Sequence, residues 1–265
     1  MKPLDLPRAA EALLEARRAG RPAGPLPPGL APRDEAEGNA LQFAYARLVG
    51  AVPPAGFKIG ATTRRMQEYL GLSRPAVGFM AAAGLHASPA TLPYAGFRGV
   101  GVECEIGVRL SADIPHGSHS LETVSKAVGE VFAAIEIVEN RYGLPPAGDL
   151  KVVGTATLIA DQVYHVAAVL GVPAVNWRSL DLAGIAGRIT VDGEERGAGC
   201  GADLLGHPMQ ALTWLAGSDA AGVFGGLRAG QVMMLGSVTP PIWLDGPCEV
   251  QVMFDGLGEA TVRLT

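Results

Sequence analysis

The sequence predicts an α+β protein: a mixed, largely antiparallel sheet system carrying a helical N-terminal segment. Three observations predict it. Residues 1–55 hold two apolar patterns at helical spacing, whereas from residue 56 the chain changes to short apolar runs broken by glycine and proline. The pairs Asp192-Gly193 and Asp255-Gly256 are hairpin turn chemistry, which joins antiparallel strands. No internal repeat or low-complexity tract competes with that reading.

The elements follow in order. Leu6, Ala9, Ala10, Leu13 and Leu14 fall on one side of a helix over residues 5–19, which Gly20 ends. Residues 21–32 carry five prolines and form a loop. A second helix is expected over 34–48, burying Ala40, Phe43, Ala44 and Leu48. Residues 1–55 are thus a helical N-terminal segment on a strand-rich domain of residues 56–265. Strands are expected at 56–61, 101–110, 132–138, 152–160, 164–169, 187–192, 231–238, 247–254 and 259–264. Helices are expected at 63–70, 120–130 and 207–216, the last opened by His207-Pro208, since proline is tolerated in a first turn.

Composition narrows the class. Hydrophobic residues make up 48% of the chain and charged residues 18%, enough apolar material for a packed core. A net charge of −5 without a concentrated basic face argues against nucleic acid. Cys104, Cys200 and Cys248 are odd in number, widely spaced and form no CxxC, which fits a reducing compartment rather than a disulfide framework. The charged N-terminus is unlike a signal peptide, and no run approaches the ~18 apolar residues of a membrane span. The expectation is a cytoplasmic protein.

Two placements of carboxylates stand out. In a strand, Glu103 and Glu105 project from the same face, while Cys104 and Ile106 face the other way. Glu136 lies inside the apolar run Phe132–Val138. These groups either lie on solvated faces and pair with Arg109 and Arg141, or converge on a hard divalent cation. The cation better relieves the repulsion and the cost of burial, and an all-oxygen ligand set suits Mg²⁺ or Mn²⁺. Lys58, a lone cation in the glycine-flanked strand Gly56–Gly60, is either an edge-strand lysine or, beside a metal, a partner for a substrate carboxylate.

These residues carry a resemblance. Lys58-Ile59-Gly60-Ala61-Thr62, Arg74-Pro75-Ala76-Val77-Gly78, Glu103-Cys104-Glu105, Glu136-Ile137-Val138-Glu139-Asn140-Arg141, Ala160-Asp161-Gln162, Leu205-Gly206-His207-Pro208 and Gly236-Ser237-Val238-Thr239-Pro240-Pro241 follow one another in order. Together they resemble the 2-oxopent-4-enoate hydratase and 4-oxalocrotonate decarboxylase branch of the fumarylacetoacetate hydrolase superfamily, over nearly the whole chain. The resemblance implies that superfamily's mixed β roll, so that residues 56–265 are a β-roll catalytic domain, and one Mg²⁺ or Mn²⁺ on Glu103, Glu105 and Glu136. It also implies a small 2-oxo or 2-hydroxydienoate acid as substrate, in aromatic meta-cleavage catabolism, and a homo-oligomer. Substrate contacts are implied for Lys58, Arg141, Gln162, Ser237 and Thr239. Lys58 is an implied catalytic group; Glu139, Asp161 and His165 are the acid–base candidates by sequence neighbourhood, and Asp161 is preferred because it matches the family's Ala-Asp element.

The sequence departs from the pattern in two places. Ala76 stands where the family usually has an acid, and Gln162-Val163-Tyr164-His165 is bulkier than the small residues that usually follow Ala-Asp. Hydration of 2-hydroxypenta-2,4-dienoate is the expected activity. The alternatives are decarboxylation of 4-oxalocrotonate, C–C hydrolysis of an acylpyruvate, or a non-catalytic partner that keeps the fold. His165 reads as a core histidine, His207 as structural and His116 and His119 as loop residues. No GxSxG elbow supports serine-hydrolase chemistry, and no glycine-rich loop joins a strand to a helix as a phosphate loop does.

Overall fold

A computed structural model describes residues 3–19, 24–143 and 150–265. The N-terminal helices are α1 (Leu6–Arg18) and α2 (Glu35–Leu48). Asp5 caps the first through the Arg8 amide and Asp34 caps the second through the Glu37 amide. The expected stop of α1 at Gly20 lies outside the described residues. Strand β1 (Gly56–Gly60), helix α3 (Arg64–Leu70) and strands β2 (Ala76–Met80), β3 (Leu85–Ala87), β4 (Ala90–Leu92) and β5 (Val100–Leu110) follow. Next come α4 (Leu121–Ala127), β6 (Val128–Glu139), α5 (Leu150–Val153), α6 (Thr155–Ala160), β7 (His165–Leu170), β8 (Ala186–Val191) and β9 (Glu194–Cys200). Helices α7 (Pro208–Ala216) and α8 (Asp219–Val223) precede β10 (Val232–Ser237), β11 (Ile242–Trp243), β12 (Cys248–Phe254) and β13 (Gly258–Leu264).

The strands form two sheets. The larger runs β2-β1-β10-β5-β6-β7-β3, with β11 added on β5, and the smaller runs β4-β13-β12-β8-β9. Only the pairs β1–β10, β3–β7 and β4–β13 are parallel among the described residues. The α+β class and the mostly antiparallel β roll are therefore as the sequence predicts. Asp192-Gly193 turns β8 into β9, both residues at positive φ as a tight hairpin requires.

Alternation on β5 and β6 sorts the two faces of the larger sheet. Val102, Cys104, Ile106 and Val108, with Val131, Ala133, Ile135 and Ile137, join one apolar core with Val250, Val252, Ala260 and Val262 of the smaller sheet. The opposite face of β5 and β6 presents Glu103, Glu105 and Glu136. One sheet face is thus spent on stability and the other is left for chemistry.

Four expectations need correction. Residues 152–160 are not a strand but lie in α5 and α6, split at Gly154. Every residue from Ala156 to Ala160 is buried, so this short helix has no polar face and reads as a continuous apolar run. The helix expected over 120–130 stops at Ala127, and β6 starts at Val128. The buried face of α2 is Leu41, Gln42, Tyr45 and Ala46, rotated from the apolar one expected, and Leu48 is exposed. Gln42 draws the face round, because its amide donates to the carbonyls of Val77 and Ile159 and accepts from the Phe79 amide. Finally, β2, β3, β4, β9 and β11 were not expected; three of them have only two or three residues, too few for alternation to register.

Candidate metal centre

The register of β5 and β6 sets Glu103 directly opposite Glu136, and Glu105 two residues further along the same face. A ligand oxygen from each of the three lies within 4.8 Å of the others. Glu105 and Glu136 are fully buried, whereas Glu103 is half-buried and marks the open side. Lys58 reaches this face from β1, because Lys58 pairs with Met234 and Met234 with Gly107. Its Nζ lies 3.4 Å from Glu136 Oε1 and donates to the Val163 carbonyl at 2.7 Å.

The two buried carboxylates, Glu136 and Glu105, each have one oxygen tied down. His165 Nδ1 is 2.8 Å from Glu136 Oε1, and the Gly236 amide donates to Glu105 Oε2 at 3.1 Å. Glu136 Oε2 and Glu105 Oε1 are buried without a hydrogen-bond partner. Gly236 can come this close because it has φ +109° and a Cβ there would sit 2.4 Å from Thr62 Cγ2.

The electrostatics are lopsided. Burial, reinforced by the Glu136 charge and opposed by Lys58, pushes Glu103 up to about 8. Burial, then Glu136 and Glu103, pushes Glu105 well above the usual carboxylate range. Burial would also raise Glu136, but Lys58, His165 and Glu105 outweigh it and hold Glu136 below that range. Burial keeps His165 below the ordinary imidazole range against the pull of Glu136, so Nδ1 carries the proton that the carboxylate accepts. Without a cation, Lys58 and His165 favour the ionised form of Glu136, while burial favours the protonated forms of Glu103 and Glu105. A dication together with Lys58 neutralises all three carboxylates. Two orphaned carboxylate oxygens, an all-oxygen donor set and that charge balance fit a hard divalent cation.

The remaining sequence candidates form a second cluster. Asp161 is buried, and its Oδ1 takes Arg17 Nε at 2.5 Å while Oδ2 takes Arg141 Nε at 3.0 Å and the Tyr142 hydroxyl at 2.8 Å. Burial would raise this carboxyl, but Arg141 and Arg17 hold it below the usual range. Glu139 pairs with Arg141 and Arg98. Gln162 donates to the Phe79 carbonyl and accepts from Arg17. These groups are engaged with one another; Arg17, Glu139, Arg141, Gln162 and His165 line a cleft of about 280 Å³. Ser237 accepts from the amides of Cys104 and Thr239 and donates to the Thr239 carbonyl, pinning the turn beside Glu105.

Residues 162–164 bridge the two clusters. Gln162, Val163 and Tyr164 have φ of 62°, 51° and 68°, three consecutive left-handed residues without a glycine. Such conformations cost about 1–2 kcal/mol each, and survive here because Lys58, Phe79 and Arg17 fix the segment. Ala76 faces Gly60 on the same sheet side as Lys58 but is packed with Leu70, Leu72, Tyr142 and Val163. His207 caps α7 through the Met209 amide. A larger cleft of about 380 Å³, lined by His116, His119 and Trp214 among others, touches none of the three glutamates.

Residues 58–265 match the family model described as fumarylacetoacetate (FAA) hydrolase C-terminal. The chain belongs to this family. Within the fumarylacetoacetate hydrolase family, the chain is 31% identical to a 2-keto-4-pentenoate hydratase of Burkholderia vietnamiensis, over 97% of this chain and 96% of that one. It is 29% identical to a 2-hydroxyhexa-2,4-dienoate hydratase of Comamonas testosteroni, over 96% and 95%. The family fold extends to a 4-oxalocrotonate decarboxylase from Pseudomonas putida G7, solved with magnesium and adipate. That structure superposes with TM-score 0.87 at 21% identity, over 100% of this chain and 99% of that one. No helix among the described residues is long and apolar enough to cross a membrane.

Three features escaped the sequence reading. Arg17 contacts Asp161 across 144 positions, which no local pattern signals. The Gly236 amide belongs to the backbone and has no side-chain signature. The pairing of His165 with Glu136 is the third: His165 is buried, as a core histidine is expected to be, but no local pattern signals that its Nδ1 meets this carboxylate.

Proposed function

We propose that this enzyme is a divalent-metal-dependent lyase that hydrates 2-hydroxypenta-2,4-dienoate or a close 2-oxo acid. The observation that carries the reading is the convergence of Glu103, Glu105 and Glu136 with two buried oxygens unpartnered, beside the buried Lys58 ammonium. Near-30% identity to named hydratases along almost the full length supports the substrate class.

In this reading Glu103, Glu105 and Glu136 hold Mg²⁺ or Mn²⁺. The cation supplies Lewis-acid polarisation of the substrate's 2-oxygen. Lys58, tied to the Val163 carbonyl and Glu136, offers its ammonium to the substrate carboxylate or relays a proton at carbon 3. The closed wall around Glu105 and Glu136 limits stray water, and the nucleophilic water enters from the Glu103 side. Asp161, with both oxygens occupied, orients residues 161–165 rather than exchanging protons. Arg141, Gln162 and Glu139 serve the same wall, and Ser237 and Thr239 hold the Gly236 amide on Glu105. The first 55 residues act as a helical cap that reaches this wall through Arg17. Three free cysteines suit a cytoplasmic site of action, and self-association as a homo-oligomer belongs to the same proposal.

The test is an assay of the purified protein with Mg²⁺ and with Mn²⁺, following loss of dienol absorbance. Hydration of 2-hydroxypenta-2,4-dienoate is expected. Release of CO₂ from 4-oxalocrotonate without dienoate hydration would move the assignment to the decarboxylase branch, and inactivity on both would defeat it.

A further inference from the structure

The cation site is built from the larger sheet, yet one side chain of the N-terminal cap takes part in its wall. Helix α1 docks through Ala9, Ala10 and Leu13, buried in the main core, so its seat does not depend on Arg17 in its last turn. Arg17 turns instead towards residues 161 and 162. Its Nε donates to Asp161 Oδ1 at 2.5 Å, and Nη2 donates to the Asp161 carbonyl at 3.1 Å and to Gln162 Oε1 at 2.5 Å. The guanidinium also lies over the Tyr45 ring of α2, 4.8 Å from its centroid.

The charge of Asp161 does not by itself explain this fork. Arg141 already balances that charge at Oδ2, and Tyr142 donates to the same oxygen. What Arg17 adds is a hold on Gln162, whose amide donates in turn to the Phe79 carbonyl of β2 at 2.6 Å. Gln162 is thereby stretched between the cap and the strand that pairs with the Lys58 strand, β1. The backbone that follows lies directly on these two strands. A Cβ on Gly78 would sit 2.6 Å from the Gln162 carbonyl oxygen, and one on Gly60 would sit 3.1 Å from Val163 Cγ1.

The next residue carries the consequence. The Val163 carbonyl accepts from Lys58 Nζ at 2.7 Å, and Val163 is the middle of the three consecutive non-glycine residues at positive φ. Backbone of this kind persists only where its surroundings hold it. If it relaxes, the ammonium loses its carbonyl and is left with Glu136, 3.4 Å away. A misplacement of about 1 Å at a reacting group can cost about 10²-fold in rate.

We propose that Arg17 is a positioning residue for Lys58: by holding Asp161 and Gln162 from the cap, it presents the Val163 carbonyl to the ammonium and so fixes where that ammonium meets the substrate. The inference rests on the role given to Lys58 above and names the distant group that sets its position. Helix α1 is in this way part of the working site and not only a cover over it.

The experiment follows exchange of the carbon-3 protons of 2-oxobutanoate for deuterium, by proton NMR, with the full-length protein and Mg²⁺ in deuterium oxide. Each event moves one proton from carbon 3, leaves its electron pair in the enolate and returns a deuteron from solvent, so no co-reactant is needed. Arg17→Ala is expected to slow exchange by about 10–100-fold while Mn²⁺ affinity, measured by calorimetry, stays near wild type. Arg17 lines the open cleft of about 280 Å³, so guanidinium ion can reach the space its side chain leaves. About 20 mM guanidinium chloride, far below the molar concentrations that unfold proteins, should restore much of the lost rate, and sodium chloride should not. Arg17→Lys keeps a charge for Asp161 but has no planar fork to span Asp161 and Gln162, so it too should be slow, and it carries the test if Arg17→Ala does not fold. Wild-type exchange in either folded variant, or a loss in Arg17→Ala that guanidinium leaves untouched, overturns the positioning role and leaves the cation-site reading intact. If the wild type exchanges no protons with Mg²⁺ present, the reading of Lys58 and the cation falls, and the role of Arg17 with it.

Discussion

His165 Nδ1 sits 2.8 Å from Glu136 Oε1, and this contact divides the carboxylate into one oxygen held by cationic or N–H groups and one left bare. Groups that orient a metal ligand commonly govern affinity nearly as strongly as the ligands themselves. His165→Ala should therefore weaken Mn²⁺ binding by about 10–100-fold. His165→Asn, which restores an N–H donor, should recover part of the loss. Calorimetric titration of Mn²⁺ into each variant checks this, and unchanged affinity in His165→Ala would reduce the contact to packing.

The three glutamates make a prediction with a defined sign in pH. Glu103 is pushed up to about 8 and Glu105 well above the usual carboxylate range, chiefly by burial, so cation binding competes with protons at both. Affinity for Mn²⁺, and with it the metal-induced rise in melting temperature, should increase from pH 6 to pH 8. Glu105→Gln or Glu136→Gln should abolish both effects. Thermal scans with and without Mn²⁺ across that range decide it; a metal shift that does not vary with pH would contradict the protonated resting state.

Lys58 holds two partners that would be stranded without it. Lys58→Met leaves the Val163 carbonyl without its donor, a loss of about 1–3 kcal/mol for a buried group, and removes the counter-ion of Glu136. Most turnover should be lost, with Mn²⁺ affinity changed far less than in the glutamate variants. Steady-state kinetics beside a Mn²⁺ titration would check this, and wild-type turnover in Lys58→Met would return the residue to a structural role.

How much of this could be read from the sequence depended on how local each pattern is. Glu103 and Glu105 share a face by strand alternation alone, and Glu136 is conspicuous inside its apolar run, so the cluster was legible before any fold. The strand pairing that sets Glu103 against Glu136 was not, because it joins positions 33 residues apart by backbone register. Residues 152–160 were misread since a short helix buried all round leaves no period to detect. Asp161 was legible as a residue of consequence but not for what it does: its partners come from two separate parts of the chain, Arg17 on the first helix and the adjacent pair Arg141-Tyr142.

That network leads to the last prediction. Asp161 is buried, its charge is balanced by Arg17 and Arg141, and these two arginines hold its carboxyl below the ordinary range despite burial. Asp161→Asn keeps the shape but leaves two arginines facing a neutral amide. Breaking a buried ion pair on one side commonly costs about 3–5 kcal/mol. The sign in pH follows from the lowered value: the carboxylate stabilises the fold above its unfolded pKa of about 3.9, and that contribution is lost as pH falls through the folded value. The variant should therefore melt well below wild type at neutral pH, and the gap should narrow in acid as the wild-type carboxyl takes up its proton. Turnover at a temperature where both are folded separates the two roles. A positioning role predicts a modest fall in turnover from a loosened wall at residues 161–165, whereas a general acid or base predicts a loss of about 10²-fold or more. A variant with unchanged melting behaviour and that full catalytic loss would put Asp161 back among the proton-transfer groups.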